Sequence, residues 1–121
     1  MTGAEGEEIA AAFLLKRGYR ILERNYRTAL GELDIIAKEG KTLVFVEVKA
    51  RSGDYFGAPQ FAVDFRKQAK MSRVALAYLS RKKLLPCACR FDVVGVLKSP
   101  QGTRVELFQN AFDVIESRAG C

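Results

Sequence analysis

The chain has 121 residues, 49% of them hydrophobic, and a formal net charge of +6. That is enough apolar material for one packed domain, and it argues against disorder; no apolar run approaches the roughly 20 residues of a bilayer span. There is no histidine, which excludes Ser-His and Cys-His nucleophiles, imidazole-bound zinc and a histidine general base.

The opening "MTGAEGEEIA" is acidic and lacks the basic start and apolar run of a signal peptide, so the expected compartment is the cytoplasm, with no membrane association. Thr2 and Glu5 form a T-x-x-E capping box for a first helix, "EEIAAAFLLKR", which Gly18 ends. On this helix Glu7 falls between Ala11 and Leu14 and Glu8 beside Leu15, so direction alone does not separate the two glutamates.

Three strands follow, at residues 19–27, 31–37 and 42–50, with "KEGK" as the tight turn between the last two. They should form an antiparallel meander. Residues 51–59 read as a loop punctuated by Gly53 and Gly57, and Pro59 suits the first turn of a second helix that runs to about Arg81. The apolar stripe of that helix is expected at Phe61, Phe65, Ala69, Leu76 and Leu79, with Met71 and Ala75 at one edge. Arg81, Lys82 and Lys83 close it, either as a solvated end favoured by the helix dipole or as a phosphate contact.

"CAC" at Cys87 and Cys89 has one spacer where zinc sites use about two to four, so reduced thiols are expected, and Cys121 is incidental. Strands at residues 89–98 and 104–109 complete the chain, joined by "SPQG". A helix between the third and fourth strands implies a right-handed crossover between parallel neighbours. The expectation is a single α/β domain, residues 1–121 with a core over about 3–113, in which a mixed central sheet is flanked by helices.

Within that frame the third strand is unusual. Thr42, Val44, Val46 and Val48 share one face; Leu43, Phe45, Glu47, Lys49 and Arg51 share the other. Both faces begin apolar, so the strand is central and covered on each side. One face then turns polar at its C-terminal end, where ligand sites of α/β sheets lie. In the second strand Glu32, Asp34 and Ile36 share a face, and Leu33 and Ile35 the other. A hairpin turning at Glu39–Gly40 brings Asp34 into register near Glu47. Two carboxylates and a lysine would converge there, requiring pairing or a metal ion.

Acidic oxygen ligands without histidine or thiolate favour Mg²⁺, with Mn²⁺ as a substitute. The plain alternative is a structural Glu47–Lys49 salt bridge with Asp34 solvated. Gln68 falls inside the expected helix stripe and needs partners, from a site at the sheet surface or from backbone carbonyls. Lys67 lies on its flank, reaching the same site or snorkelling. Asp92 reads as a strand carboxylate paired structurally with an arginine, and Asn25 and Arg27 as a turn or a substrate contact. The positive net charge points to an anionic partner, nucleic acid first.

The segments "GEEIAAAFLLKRGYRILERNYR", "GELDIIA", "FVEVKAR", "FGAP", "KQAK" and "RFDVV" occur in an order that resembles the bacterial YraN family of predicted endonucleases. That family is similar in turn to archaeal Holliday-junction resolvases and to restriction-endonuclease-like nucleases with the PD-(D/E)XK motif. The resemblance implies that Asp34 is the motif aspartate, with Leu33 where the motif has proline. Glu47 and Lys49 would be its (D/E)XK part. It implies that Glu7 joins the metal site, and that Gln68 is the helix glutamine of the resolvase-like branch. The expected function is metal-dependent hydrolysis of DNA phosphodiesters: Asp34 and Glu47 as Mg²⁺ ligands, Lys49, Gln68 and Glu7 as catalytic residues, and Arg27, Arg51 and Lys67 as cations facing the nucleic acid. Branched DNA and a homodimer are the further expectations. The rival readings are a non-catalytic nucleic-acid-binding module and a protein-interaction subunit.

Overall fold

The computed structural model describes residues 2–53, 61–85 and 87–115. The capping box forms as expected: Thr2 Oγ1 accepts the Glu5 N–H at 3.1 Å, and the Glu5 carboxylate reaches back to the Thr2 N–H at 3.4 Å. Helix α1 (Gly3–Lys16) buries Gly6, Ala10, Ala11 and Leu14. These small residues let it lie close to the sheet. A Cβ on Gly6 would stand 2.8 Å from the Ala50 Cβ.

Five strands follow the expected order: β1 (Arg20–Thr28), β2 (Gly31–Glu39), β3 (Thr42–Ser52), β4 (Cys89–Ser99) and β5 (Gly102–Phe112). They lie in one sheet in chain order. β3 and β4 are parallel, and the other neighbours are antiparallel. Helix α2 (Phe65–Arg81) makes the connection that a parallel pair needs. The architecture is thus mixed α/β, a five-stranded sheet with a helix on each face. Ala10, Ala11 and Leu14 of α1 pack with Ile35, Val44, Val46 and Val94, whereas Met71, Val74, Tyr78 and Leu79 of α2 pack with Ile36, Phe45 and Phe91. The two-sided cover of β3 is therefore as its sequence requires. No helix among the described residues is long and apolar enough to cross a membrane.

Two local expectations fail. The second helix starts at Phe65, because Asp64 caps it by accepting the Lys67 N–H at 2.8 Å. Its buried stripe is Met71, Ser72, Val74, Ala75, Tyr78 and Leu79, while Phe65 is 70% exposed and Leu76 lies at the surface. Phe61 is not on the helix stripe. It plugs the sheet beside Val93 and Leu97, over Gly95, where an added Cβ would come within 2.7 Å of its ring. Gly57, Pro59 and Cys121 lie outside the described residues. In β2, Leu33 belongs to the cluster of Ile36, and Ile35 to the opposite one. Strict alternation breaks around Asp34.

Candidate active site

The β2–β3 ladder runs from Glu39 opposite Thr42 to Ile35 opposite Val46, and there it stops. Beyond it β2 stays paired only with β1, and β3 only with β4, where Glu47 faces Val93. The central strands therefore part at Asp34 and Glu47, the next positions in register. Asp34 Oδ2 accepts the Val48 N–H at 2.7 Å, so a side chain serves a backbone donor that lies beyond the last strand pair.

Glu47 is 9% exposed, and Asp34 is half-buried beside it. Burial raises the Asp34 pKa to about 7, and the neighbouring Glu47 carboxyl pushes it the same way; the Val48 N–H and the Lys67 charge oppose them. One flank of this pair is cationic. Lys67 Nζ, from the first turn of α2, stands 3.6 Å from Glu47 Oε2.

The other flank leads to α1 through Asn25. Asn25 falls between the paired residues Arg24 and Tyr26, opposite the position of Asp34 between Ile35 and Leu33. It has φ +51°, a left-handed conformation that asparagine tolerates better than most residues. Its side chain favours the charged form of the Glu7 carboxyl, but burial first and then the Asp34 charge raise the Glu7 pKa. Glu8 points elsewhere, to Arg24 Nη1 at 2.6 Å. The structure thus separates the two glutamates that the helical wheel did not. It also shows that Asn25, read as a turn or substrate contact, sits inside a strand. A polar, turn-favouring residue in mid-strand was the available signal.

The remaining expected residues are placed as follows. Lys49 does not pair with Glu47: its ammonium donates to the Ala62 carbonyl at 2.8 Å. Gln68 Nε2 donates to the Val63 carbonyl at 2.8 Å, so its amide has the backbone partner foreseen as the plain alternative. Lys49 and Gln68 together hold the segment that enters α2. Arg27 forms an exposed ion pair with Glu32 at 3.0 Å, and the exposed Arg51 donates to the Ala50 carbonyl. A cavity of about 510 Å³ opens beside Gln68, walled by Phe61, Val63, Val93 and Phe108. Its walls are mostly apolar and neither carboxylate lines it, so it is a neighbour of the site, not its centre.

A second polar cluster lies within the sheet. Asp92 is fully buried and accepts from Tyr19 OH at 2.7 Å, Arg90 Nε at 3.0 Å and the Asn110 N–H at 2.9 Å. Arg90 Nη2 also reaches Glu39 Oε1 at 2.5 Å, and Gln109 Nε2 donates to Tyr19 OH at 2.8 Å. Every oxygen of Asp92 is satisfied, which makes this a strut and not a reactive centre. Cys87 and Cys89 are free thiols.

As a cation site, Asp34 and Glu47 offer only oxygen donors, the set suited to Mg²⁺ or Mn²⁺. Among the described residues no three Asp, Glu or Cys side chains stand together as a cage. Two carboxylates with the balance from water is a composition Mg²⁺ accepts, since it sheds its water reluctantly.

Comparison with known proteins gives a consistent family. The family model described as "Uncharacterised protein family UPF0102" matches residues 6–96, a span that holds Glu7, Asp34, Glu47, Lys49 and Gln68. A UPF0102 protein of Syntrophus aciditrophicus is 51% identical over 117 residues, covering 97% of this chain and 92% of its own. One from Geobacter sulfurreducens is 49% identical over 113 residues, covering 93% and 88%. Among solved structures, Pyrococcus furiosus SfsA in complex with Ca²⁺ aligns at a TM-score of 0.36 and 18% identity, over 89% of this chain and 62% of that one. A likeness of that size carries no assignment.

Proposed function

This chain belongs to the uncharacterised protein family UPF0102, and we propose that it is an endonuclease that hydrolyses DNA phosphodiester bonds with the help of a divalent cation. The observation that carries the reading is the parting of β2 and β3 at two neighbouring carboxylates, Glu47 buried and Asp34 half-buried, the latter with its pKa raised to about 7. Such a pair is unfavourable by itself and is relieved by positive charge. The parallel β3–β4 pair joined through α2, with Asp34 and Glu47 where the sheet opens, supports a restriction-endonuclease-like reading of the fold.

In this reading Asp34 and Glu47 hold Mg²⁺, or Mn²⁺ in its place. A bound cation of this kind supplies charge neutralisation at the phosphate and a more acidic water. Glu7 acts on the pair through its own charge, which Asp34 feels directly. Lys49, two residues from Glu47 on the same face of β3, orients the attacking water or meets developing charge once its Ala62 contact is exchanged. Gln68 holds the Val63 carbonyl, and so the approach of α2 to Glu47. Arg27, Arg51 and Lys67 would face the phosphates. Attack by water on phosphorus in line needs no covalent enzyme intermediate, in keeping with a chain that lacks histidine. The resolvase resemblance extends the proposal to branched DNA cut by a two-fold homodimer.

The test is nicking of supercoiled plasmid by the purified protein in Mg²⁺, in Mn²⁺ and in EDTA, with Lys49→Ala alongside. Cleavage confined to the cation-containing reactions and weakened by the substitution is the expected result. Cleavage that survives EDTA, or that Lys49→Ala leaves untouched, would remove the reading.

A further inference from the structure

Seven of the chain's 20 basic residues and none of its 14 acidic ones lie between Phe65 and Lys83. The rest of the chain is nearly neutral, thirteen cations against fourteen acids. The net charge of +6 is therefore a property of α2 and the turn that follows it.

The placement of these cations is specific. α2 buries Met71, Val74, Ala75, Tyr78 and Leu79. Arg66, Lys70 and Arg73 lie on the opposite side of the helical wheel, all exposed, and make no ion pair among the described residues. From Arg66 to Arg73 the ridge is about 10 Å long at the rise of an α-helix. An ordinary solvated helix face mixes signs, because opposite charges at i,i+4 support the helix. Here Arg66 and Lys70 form a like-charged i,i+4 pair. Arg66 and Lys67 occupy the first turn, where the helix dipole favours acids, and that turn has none. The arrangement opposes the helix's own stability, and an extended polyanion lying along it would offset that opposition. The ridge also begins beside the carboxylates: Arg66 precedes Lys67, whose ammonium stands 3.6 Å from Glu47.

We infer that the solvent face of α2 is the surface on which a DNA duplex lies, its phosphates running along Arg66, Lys70 and Arg73 for about three base pairs. The inference deepens the nuclease reading by naming the element that delivers a phosphodiester to Asp34 and Glu47. Its binding half stands apart from cleavage, and so does its test.

The experiment measures the affinity of the full chain for a labelled DNA duplex of about 20 base pairs in EDTA, between about 50 and 200 mM salt. The triple variant Arg66→Gln, Lys70→Gln, Arg73→Gln is compared with a charge-matched control, Lys16→Gln, Lys38→Gln, Lys41→Gln, whose exposed lysines sit elsewhere on the chain. Each lost phosphate contact removes about 0.9 from the salt slope. The α2 variant should therefore lose about 2.7 in slope and on the order of 10²-fold in affinity near 0.1 M salt. The control should lose much less, and both should melt as cooperatively as the parent. Equal losses in the two variants, or none in either, would overturn the assignment. So would an α2 variant that keeps its DNA affinity but no longer binds vesicles of phosphatidylserine and phosphatidylcholine, which would make the ridge a membrane surface. Duplex that binds through α2 yet stays uncut in Mg²⁺ would support the surface while removing the nuclease reading.

Discussion

Replacing Asp34 by asparagine should stabilise the cation-free protein while removing its activity. The Asp34 pKa is raised from 3.8 to about 7, by burial first and by the adjacent Glu47. The folded state therefore keeps this proton at pH values where the unfolded chain has lost it. Stability should fall as pH rises from about 4 to about 7 and then level off. At roughly 1.4 kcal/mol per pH unit, the full difference is about 4 kcal/mol above pH 7. Asparagine carries no proton to lose, and its amide oxygen can still accept the Val48 N–H. It shares part of the burial cost, so about half of the difference, roughly 2 kcal/mol, should appear as added stability at pH 8. For a domain of this size that is a rise of roughly 6 °C in Tm. Saturating Mg²⁺, at about 100 times its Kd, should add about 2.7 kcal/mol to the parent and little to the variant, reversing their order. Thermal melts of both proteins at pH 4, 6 and 8, with Mg²⁺ and with EDTA, measure all of this. A variant less stable than the parent at pH 8 in EDTA, or two parallel pH profiles, would refute the reasoning.

Lys49→Ala should leave Mg²⁺-dependent stabilisation in place and slow cleavage at saturating cation by about 10²-fold, the scale of one lost transition-state contact; a Mg²⁺ titration followed by Tm separates that from lost cation binding. Asp92→Ala should cost about 3–5 kcal/mol, because it strips Arg90 and Tyr19 of a buried partner, and urea unfolding reads the loss. Where that variant still folds, Mg²⁺ should raise its Tm as much as it raises the parent's. Gly95→Ala drives a methyl to within 2.7 Å of the Phe61 ring and should cost about 1–3 kcal/mol, again by urea unfolding. An unchanged midpoint would mean that Phe61 moves aside freely.

The placement of Asp34 beside Glu47 was legible because hairpin register is local information. A turn at Gly40 and an alternating β3 are enough to set Asp34 opposite Glu47, and the structure carries that register up to the pair beside them. The two-sided cover of β3 and the Asp92–Arg90 pair followed from apolar runs interrupted by a charge that needs a partner. What failed depended on details that a periodic count does not contain. Anchoring the second helix at Phe61 rotated its expected stripe, because the Asp64 cap sets the true start. Leu33 sits on the face opposite to expectation because the strands part at Asp34, with the left-handed Asn25 opposite it. Lysine choice was the third difference. Lys49 shares a strand face with Glu47, yet Lys67, reaching down from α2, is the ammonium beside that carboxylate. Tyr19, Glu39 and Gln109 converge around Arg90 and Asp92 only through tertiary contact, and no sequence spacing announces them.

The most direct test is single-turnover cleavage of a labelled four-way DNA junction and a matched linear duplex, in Mg²⁺, by the parent and by Glu47→Gln. Glu47 lies at the parting of the strands, and its isosteric amide keeps the shape while removing one of the two charges. The expected result is Mg²⁺-dependent cuts by the parent, faster on the junction, with none by a Glu47→Gln protein that still melts cooperatively. Cleavage by Glu47→Gln at the parental rate would contradict the assignment of Asp34 and Glu47 as the hydrolytic centre.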